Sequence, residues 1–250
     1  MKSNFSATLL VAAAAMLLTS MPVLASKTDD RIESSAKKSY VFKTYLKSDD
    51  IKVESKDGVV TLTGTVAEES HKTLAQETVA SLPGVKSVDN RLGVKGEHPV
   101  ENSDAWLVTK VKTTLVFHRN VSGLTEVSAK DGIVTLRGDA SSQAQKDLTT
   151  EYARDIEGVK DVNNEMTVSG TARKKETMSE KIDDASITAQ VKIVLLSHRS
   201  TSAAHTKATT RNGVVTLSGK AKNAAEIDLV TKVVSDIKGV KRVKNQMTVG

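Results

Sequence analysis

The sequence predicts an α+β protein built as three tandem copies of one small αββαβ unit, each a mixed three-stranded sheet with two helices on one face. Three observations carry that expectation. Gly58, Gly64 and Gly84 are separated by 6 and 20 residues, and the sets Gly132, Gly138, Gly158 and Gly213, Gly219, Gly239 repeat the spacing. Between the first two glycines stand Val59-Val60-Thr61-Leu62, Ile133-Val134-Thr135-Leu136 and Val214-Val215-Thr216-Leu217. Six residues after the third glycine comes an asparagine each time: Asn90, Asn164 and Asn245.

Each unit reads in the same order. Apolar residues recur every four positions in Ile32, Ala36, Tyr40, in Leu107, Val111, Leu115 and in Ile187, Val191, Leu195, the stripe of a helix. Asp29, Asp104 and Asp184 stand three residues before those stripes, where a carboxylate can cap free backbone N–H groups. A short strand is expected around Ile51–Glu54, Thr125–Ser128 and Thr206–Thr209. Asp57-Gly58, Asp131-Gly132 and Asn212-Gly213 then supply residue types that tolerate the positive φ of a tight hairpin turn. A second helix follows the central strand, and the third glycine is expected to end it as a left-handed cap. The final strand alternates apolar residues on one face: Val88, Leu92, Val94; Val162, Met166, Val168; Val243, Met247, Val249. The units fall at about residues 29–96, 104–170 and 183–250, with a charged linker at 171–182. Domains this small sit near the lower limit of independent stability.

Ahead of the units, Lys2 and the apolar run Ala7–Leu18 precede Val23-Leu24-Ala25. This pattern reads as a cleavable export signal of residues 1–25, cut after Ala25, and the expectation is a soluble periplasmic protein. The sequence of 250 residues holds no cysteine, which excludes disulfides, thiolate metal sites, cysteine nucleophiles and a lipid anchor on cysteine. With aromatic residues at 3%, a base-stacking platform is excluded as well, and because an exported protein seldom meets nucleic acid no such partner is expected.

The net charge of +6 is unevenly spread: residues 171–250 carry +8, residues 97–170 carry −4 and residues 26–96 carry +1. The third unit is therefore the candidate for an anionic partner. Lys238, Lys241, Arg242 and Lys244 cluster near its end, and Arg173, Lys174 and Lys175 lie in the linker before it. These seven are the candidate lipid-binding residues, and a solvated basic face that keeps the protein soluble is the competing reading.

Nothing in the repeats has the pattern of a catalytic site. The positions shared by all three units are glycines, aliphatics, threonine and the asparagine, so the expectation is a non-enzyme with no catalytic residue, no cofactor and no metal. His71, His98, His118, His198 and His205 show no close metal-ligand spacing. His118-Arg119 and His198-Arg199 match between units two and three, at a helix end where cations complement the dipole. Asn90, Asn164 and Asn245 sit on an otherwise apolar strand face. Either they satisfy backbone groups of their own unit or they contact a polar ligand. Trp106, near the start of a helix, reads either as inter-domain packing or as a membrane-interface residue.

The Gly-Val-Val-Thr-Leu-x-Gly type segments, followed by a helix and Gly-Val-Lys-x-Val-x-Asn-x-hydrophobic-x-Val, resemble the BON domain in three copies. With its leader, the chain is similar to the periplasmic, osmotically inducible members of that family, which commonly carry two copies. The resemblance implies a non-enzymatic envelope protein whose domains bind phospholipid and support envelope integrity under osmotic stress; with the basic third unit, the expected partner is anionic phospholipid or a membrane surface. The alternative it implies is a chaperone or interaction module for exported protein clients.

Overall fold

The structure, a computed structural model, describes residues 21–96, 100–101, 103–122, 124–169, 181–201 and 206–250, with side chains from Lys27 onward. The expected leader up to residue 20 and linker residues 171–180 lie outside the described residues. Unit one comprises α1 (Met21–Lys38), α2 (Tyr40–Thr44), β1 (Asp50–Lys56), β2 (Val59–Val66), α3 (Glu69–Ala80), β3 (Ser87–Asn90) and β4 (Gly93–Val94). Unit two comprises α4 (Asp104–Phe117), β5 (Glu126–Lys130), β6 (Ile133–Arg137), β7 (Asp139–Ala140), α5 (Gln143–Arg154), β8 (Asp161–Asn164) and β9 (Thr167–Val168). Unit three comprises α6 (Asp184–Ser197), β10 (Thr206–Arg211), β11 (Val214–Ala221), α7 (Ala224–Ser235) and β12 (Arg242–Val249).

Each unit is the expected αββαβ sandwich. The first two strands pair antiparallel across the turn, as in Val53 opposite Leu62 and Ala208 opposite Leu217. The last strand joins the central one in parallel, as in Val60 beside Val88 and Val215 beside Val243. Residues that alternate inward, such as Val60 and Leu62 or Val215 and Leu217, are fully buried against the helices. The turn residues Asp57, Asp131 and Asn212 all take positive φ of 54–55° ahead of a positive-φ glycine, the geometry that a two-residue hairpin linking twisted strands requires.

Two expectations about single residues are corrected. Asp29, Asp104 and Asp184 do not cap their helices. α1 already begins at Met21, and the caps of α4 and α6 are Ser103 and Asp183, which accept from Trp106 N and Ser186 N. The three carboxylates reach across to the hairpin turn instead. Asp104 accepts from Asp131 N at 2.8 Å and Gly132 N at 2.9 Å, and Asp184 from Asn212 N at 2.7 Å and Gly213 N at 2.8 Å. Asp29 does the same with Asp57 N and Gly58 N and also takes the Ser55 hydroxyl at 2.6 Å. The second correction concerns the third glycine. The helices end earlier, at caps Ser81, Asp155 and Asp236, and the glycine lies in the turn beyond. There a Cβ on Gly239 would meet Ile187 Cγ1 at 2.9 Å, so its smallness lets that turn close onto the unit's first helix.

The repeated asparagine joins helix to strand. In unit three its amide donates to Ile227 O at 3.1 Å and Thr231 Oγ1 at 2.8 Å, while its oxygen accepts from Met247 N at 2.9 Å. Asn164 repeats this with Lys146 O, Thr150 Oγ1 and Met166 N, and Asn90 with Lys72 O, Gln76 Oε1 and Leu92 N. The side-chain oxygen takes an N–H on the strand's open edge, while Arg91 N to Leu62 O and Glu165 N to Leu136 O continue the ladder. The expected single last strand is split into β3/β4 and β8/β9 in units one and two, whereas β12 runs through.

The units are packed together. Units one and three share one continuous apolar core, which also takes in Phe117 of unit two; the rest of unit two has its own core around Leu107, Leu136 and Ile156. α6 is buried at eleven of its fourteen residues. Among the described residues no helix is long and apolar enough to cross a membrane.

Replacing Asn245 by Ala removes three part-buried bonds to backbone or hydroxyl partners and is expected to cost about 2–3 kcal/mol, read as a lower denaturant midpoint. Asp29→Asn and Asp104→Asn are expected to lower Tm at neutral pH. The Ser55 hydroxyl and turn N–H groups hold the Asp29 carboxyl, and the turn N–H groups that of Asp104, below the usual 3.8. That stabilisation is present above about 3.8 and is lost as pH falls further, so variant and wild-type melting curves converge in strong acid.

Candidate functional site

The face of each sheet turned away from the helices has no core to serve, and its side chains differ between units. In unit three that face presents Lys207, Thr209 and Arg211 from β10, Val214, Thr216, Ser218 and Lys220 from β11, and Arg242, Lys244, Gln246 and Thr248 from β12. The opposite alternation (Ala208, Val215, Leu217, Met247) points inward. The register sets Arg211 and Arg242 on either side of Val214, Thr209 and Lys244 on either side of Thr216, and Lys220 beside Thr248. Neighbouring strands lie about 5 Å apart and same-face residues about 7 Å apart along a strand, so five cations share one flat patch. Lys207, Arg211, Lys220, Arg242 and Lys244 are all exposed, and no carboxylate shares the face. None of the five is ion-paired among the described residues.

The corresponding faces of the other units are neutralised. In unit one Lys52, Lys56 and Arg91 are set against Asp50, Glu54 and Asp89, with Arg91 Nη2 2.6 Å from Asp89. In unit two Lys130 and Arg137 meet Glu126, Asp161 and Glu165, with Arg137 Nε 2.8 Å from Glu165.

Of the seven basic residues expected from the sequence, Arg242 and Lys244 lie on this face, and exposed Lys241 sits at its hairpin end, its stem over Gly213. Lys238 lies apart, its N–H donating to Phe117 O at 2.9 Å where units two and three meet. Arg173, Lys174 and Lys175 lie outside the described residues. Lys207, Arg211 and Lys220 were missed because they are scattered in sequence. Strand alternation, applied across the hairpin, was the signal that could have gathered them.

The matched His-Arg pairs form a second constellation, a pseudo-two-fold seam between units two and three. Arg119 N donates to Asp236 O and Lys238 N to Phe117 O; reciprocally, Glu157 N donates to Ser197 O and Arg199 N to Asp155 O, all at 2.8–3.0 Å. Arg119 Nη2 caps the turn after α7 by donating to Ile237 O at 2.8 Å. His198 Nδ1 lies 2.8 Å from Asp155 Oδ2. His118 Nδ1 lies 3.3 Å from Asp236 Oδ2 but is not aligned for a hydrogen bond. Asp236 instead accepts from the Tyr152 hydroxyl at 2.9 Å and from the Asn120 amide. The His118 ring stacks on Tyr152 at 3.8 Å and stands 6.1 Å from that of His198.

Burial pushes the His118 imidazole below its usual value, and Asp236 only partly opposes it. Burial, then the Asp236 charge, pushes the Tyr152 phenol far up. At Asp155 burial pushes upward but is outweighed by the bonds from His198 and Ser200, which leave the carboxyl below its usual range. Unit one carries Lys43 and Ser81 at the positions of this histidine and aspartate, so it cannot make the same seam. The matched Asp155 and Asp236, each three residues before the third glycine, were the unused sequence signal.

Trp106 is half-buried against the core of unit two, with Lys110 Nζ 4.2 Å from its ring centroid. Among the described residues no group of three histidine, aspartate or glutamate side chains is disposed to hold a metal ion.

Comparison with known proteins finds the BON domain profile matching residues 28–96, 103–170 and 183–250. The osmotically-inducible protein Y of Escherichia coli strain K12 is 33% identical over 146 residues, which are 58% of this chain and 71% of that protein. An uncharacterized protein encoded in the gshII 5′ region of Anaplasma centrale is 30% identical over 140 residues, 56% of this chain and 90% of that one. Among solved structures, CdsD, a structural protein of the type III secretion system of Chlamydia trachomatis, is 17% identical and covers 88% of this chain and 90% of its own, at a TM-score of 0.25.

Proposed function

The chain belongs to the BON domain family, and from that premise we propose that it is a non-enzymatic, periplasmic, stress-related protein that binds anionic phospholipid surfaces through the helix-free sheet face of its third unit. The family and the osmotically-inducible relative support the stress role and the absence of catalysis. The observation that carries the partner is the charge contrast: five exposed cations and no carboxylate on one sheet face, against balanced or acidic faces on its two siblings. A flat cationic face suits a planar array of phosphates, and the threonines and serine between the cations offer hydroxyl donors to the same oxygens.

Each cation near an anionic bilayer contributes about 1 kcal/mol, an attraction that decays within a Debye length. Five give reversible, salt-sensitive adsorption rather than anchoring. Support of envelope integrity under osmotic stress follows if adsorption brings the other two units to the membrane as interaction surfaces.

Sedimentation with vesicles tests this. The protein is expected to pellet with anionic vesicles at low salt, to remain free with neutral ones, and to be released by about 0.5 M salt, where the Debye length shrinks to a few ångströms. Arg242→Glu with Lys244→Glu is expected to cut anionic-vesicle affinity at least tenfold, and Lys52→Glu in unit one to leave it nearly unchanged. Equal binding to both vesicle types, or binding indifferent to the unit-three reversals, contradicts the reading.

A further inference from the structure

The seam between units two and three carries a concentration of unsatisfied polarity. The buried side-chain atoms without a hydrogen-bond partner among the described residues are Thr114 Oγ1, both ends of the Gln190 amide, both ring nitrogens of His118 and Nε2 of His198. All lie on α4, on α6 or directly after them. A buried polar atom left without a partner costs free energy that water would return to it on exposure. Docking of unit two is therefore held by the four reciprocal backbone bonds and the apolar packing, and opposed by the unpartnered nitrogens of His118 and His198.

We propose that this seam is a pH-sensitive latch, closed at neutral pH and released in mild acid when His118 takes up a proton. In the closed seam no acceptor is aligned to receive a second N–H from this ring. Asp236 already serves Tyr152 and Asn120. The ring is stacked on Tyr152 and faces His198 as well as the charge of Lys238, while the Arg119 guanidinium is committed to carbonyls of the turn after α7. On the other side of the pseudo-two-fold, Asp155 is engaged by His198, Ser200 and the Arg199 guanidinium. An imidazolium at His118 would be a buried cation beside Lys238, drawn only in part by Asp236, whose Oδ2 lies 3.3 Å away, unaligned and already bonded to Tyr152. Separation of the units hydrates both ring nitrogens, and a proton from solvent then binds there.

The sign follows from where the proton is better held. Burial keeps His118 below the usual 6.5 in the closed form, so the open form binds the proton more readily. The closed seam is favoured above about 6.5 and weakens as pH falls below it. Asp155, held below its usual 3.8, works in the same direction in stronger acid.

The chain has no cysteine, so Ser128→Cys in unit two and Thr209→Cys in unit three, both exposed sheet positions, give two unique spin-label sites in the full-length protein. The expected result is one inter-label distance at about pH 7.5 and a longer-distance population that grows by up to about tenfold per pH unit below 6.5, the limit for one proton. The helical circular-dichroism signal is retained throughout. His118→Phe, which keeps an aromatic ring on Tyr152, and His118→Gln, which keeps a neutral polar group, are expected to abolish the pH dependence. A single unchanged distance down to about pH 5, the same pH dependence in both variants, or lengthening only together with loss of helical signal would overturn the proposal.

Discussion

The assembly depends on one helix that is enclosed on nearly every side. α6 is buried at eleven of fourteen positions, and among its residues only Asp184 and Lys192 are charged. Asp184 faces the hairpin turn of its own unit, and Lys192 pairs with Glu77 of α3 at 2.7 Å. A helix that is apolar on most sides must be enclosed by its surroundings, and one αββαβ unit covers only one side. The remaining sides are taken by α3 of unit one and α4 of unit two. At its N-terminus the cap Asp183 also receives Tyr40 N at 2.7 Å, so one carboxylate serves two helix starts. At its C-terminus it runs into the His198 seam. Units too small to be comfortably stable alone thus gain burial by sharing a helix that belongs to one of them.

That arrangement also explains where variation is tolerated. The inward alternation of every sheet is occupied by the same aliphatic pattern, and the asparagine and turn-binding aspartate recur in each unit because each closes a specific set of backbone groups. The helix-free faces have no such duty. Two of them carry interspersed charges, as an ordinary solvated surface does, and the third has lost every carboxylate. With the fold held constant, the difference between siblings is a difference of surface electrostatics, which sets on-rate and partner rather than architecture.

The architecture was legible in the sequence because its determinants are local or periodic: Asn212-Gly213 makes a hairpin wherever it stands between strands, and Val214-Val215-Thr216-Leu217 alternates on its own. What was not legible depends on tertiary register. Asp104 stands three residues before an apolar stripe, as a helix cap would, yet its partner is a turn some twenty-seven residues on, and Ser103 beside it takes the capping role. His118 and His198 were seen to match, but their partners Asp236 and Asp155 come from the opposite unit, crossed by a pseudo-two-fold that no local pattern announces. Of the cationic face, Arg242 and Lys244 were visible as a cluster. Lys207, Arg211 and Lys220 join them only once the strand pairing of β10, β11 and β12 is known.

The most direct measurement of whether the third unit's sheet face meets the membrane is amine footprinting: limited acetylation of lysines in the presence and absence of anionic vesicles, read peptide by peptide. Lys207, Lys220 and Lys244 are expected to be protected by the vesicles, while Lys52, Lys56 and Lys130, at comparable sheet positions in the other units, stay equally reactive in both conditions. Protection that falls on the lysines of units one and two, or on none of the six, would contradict the account.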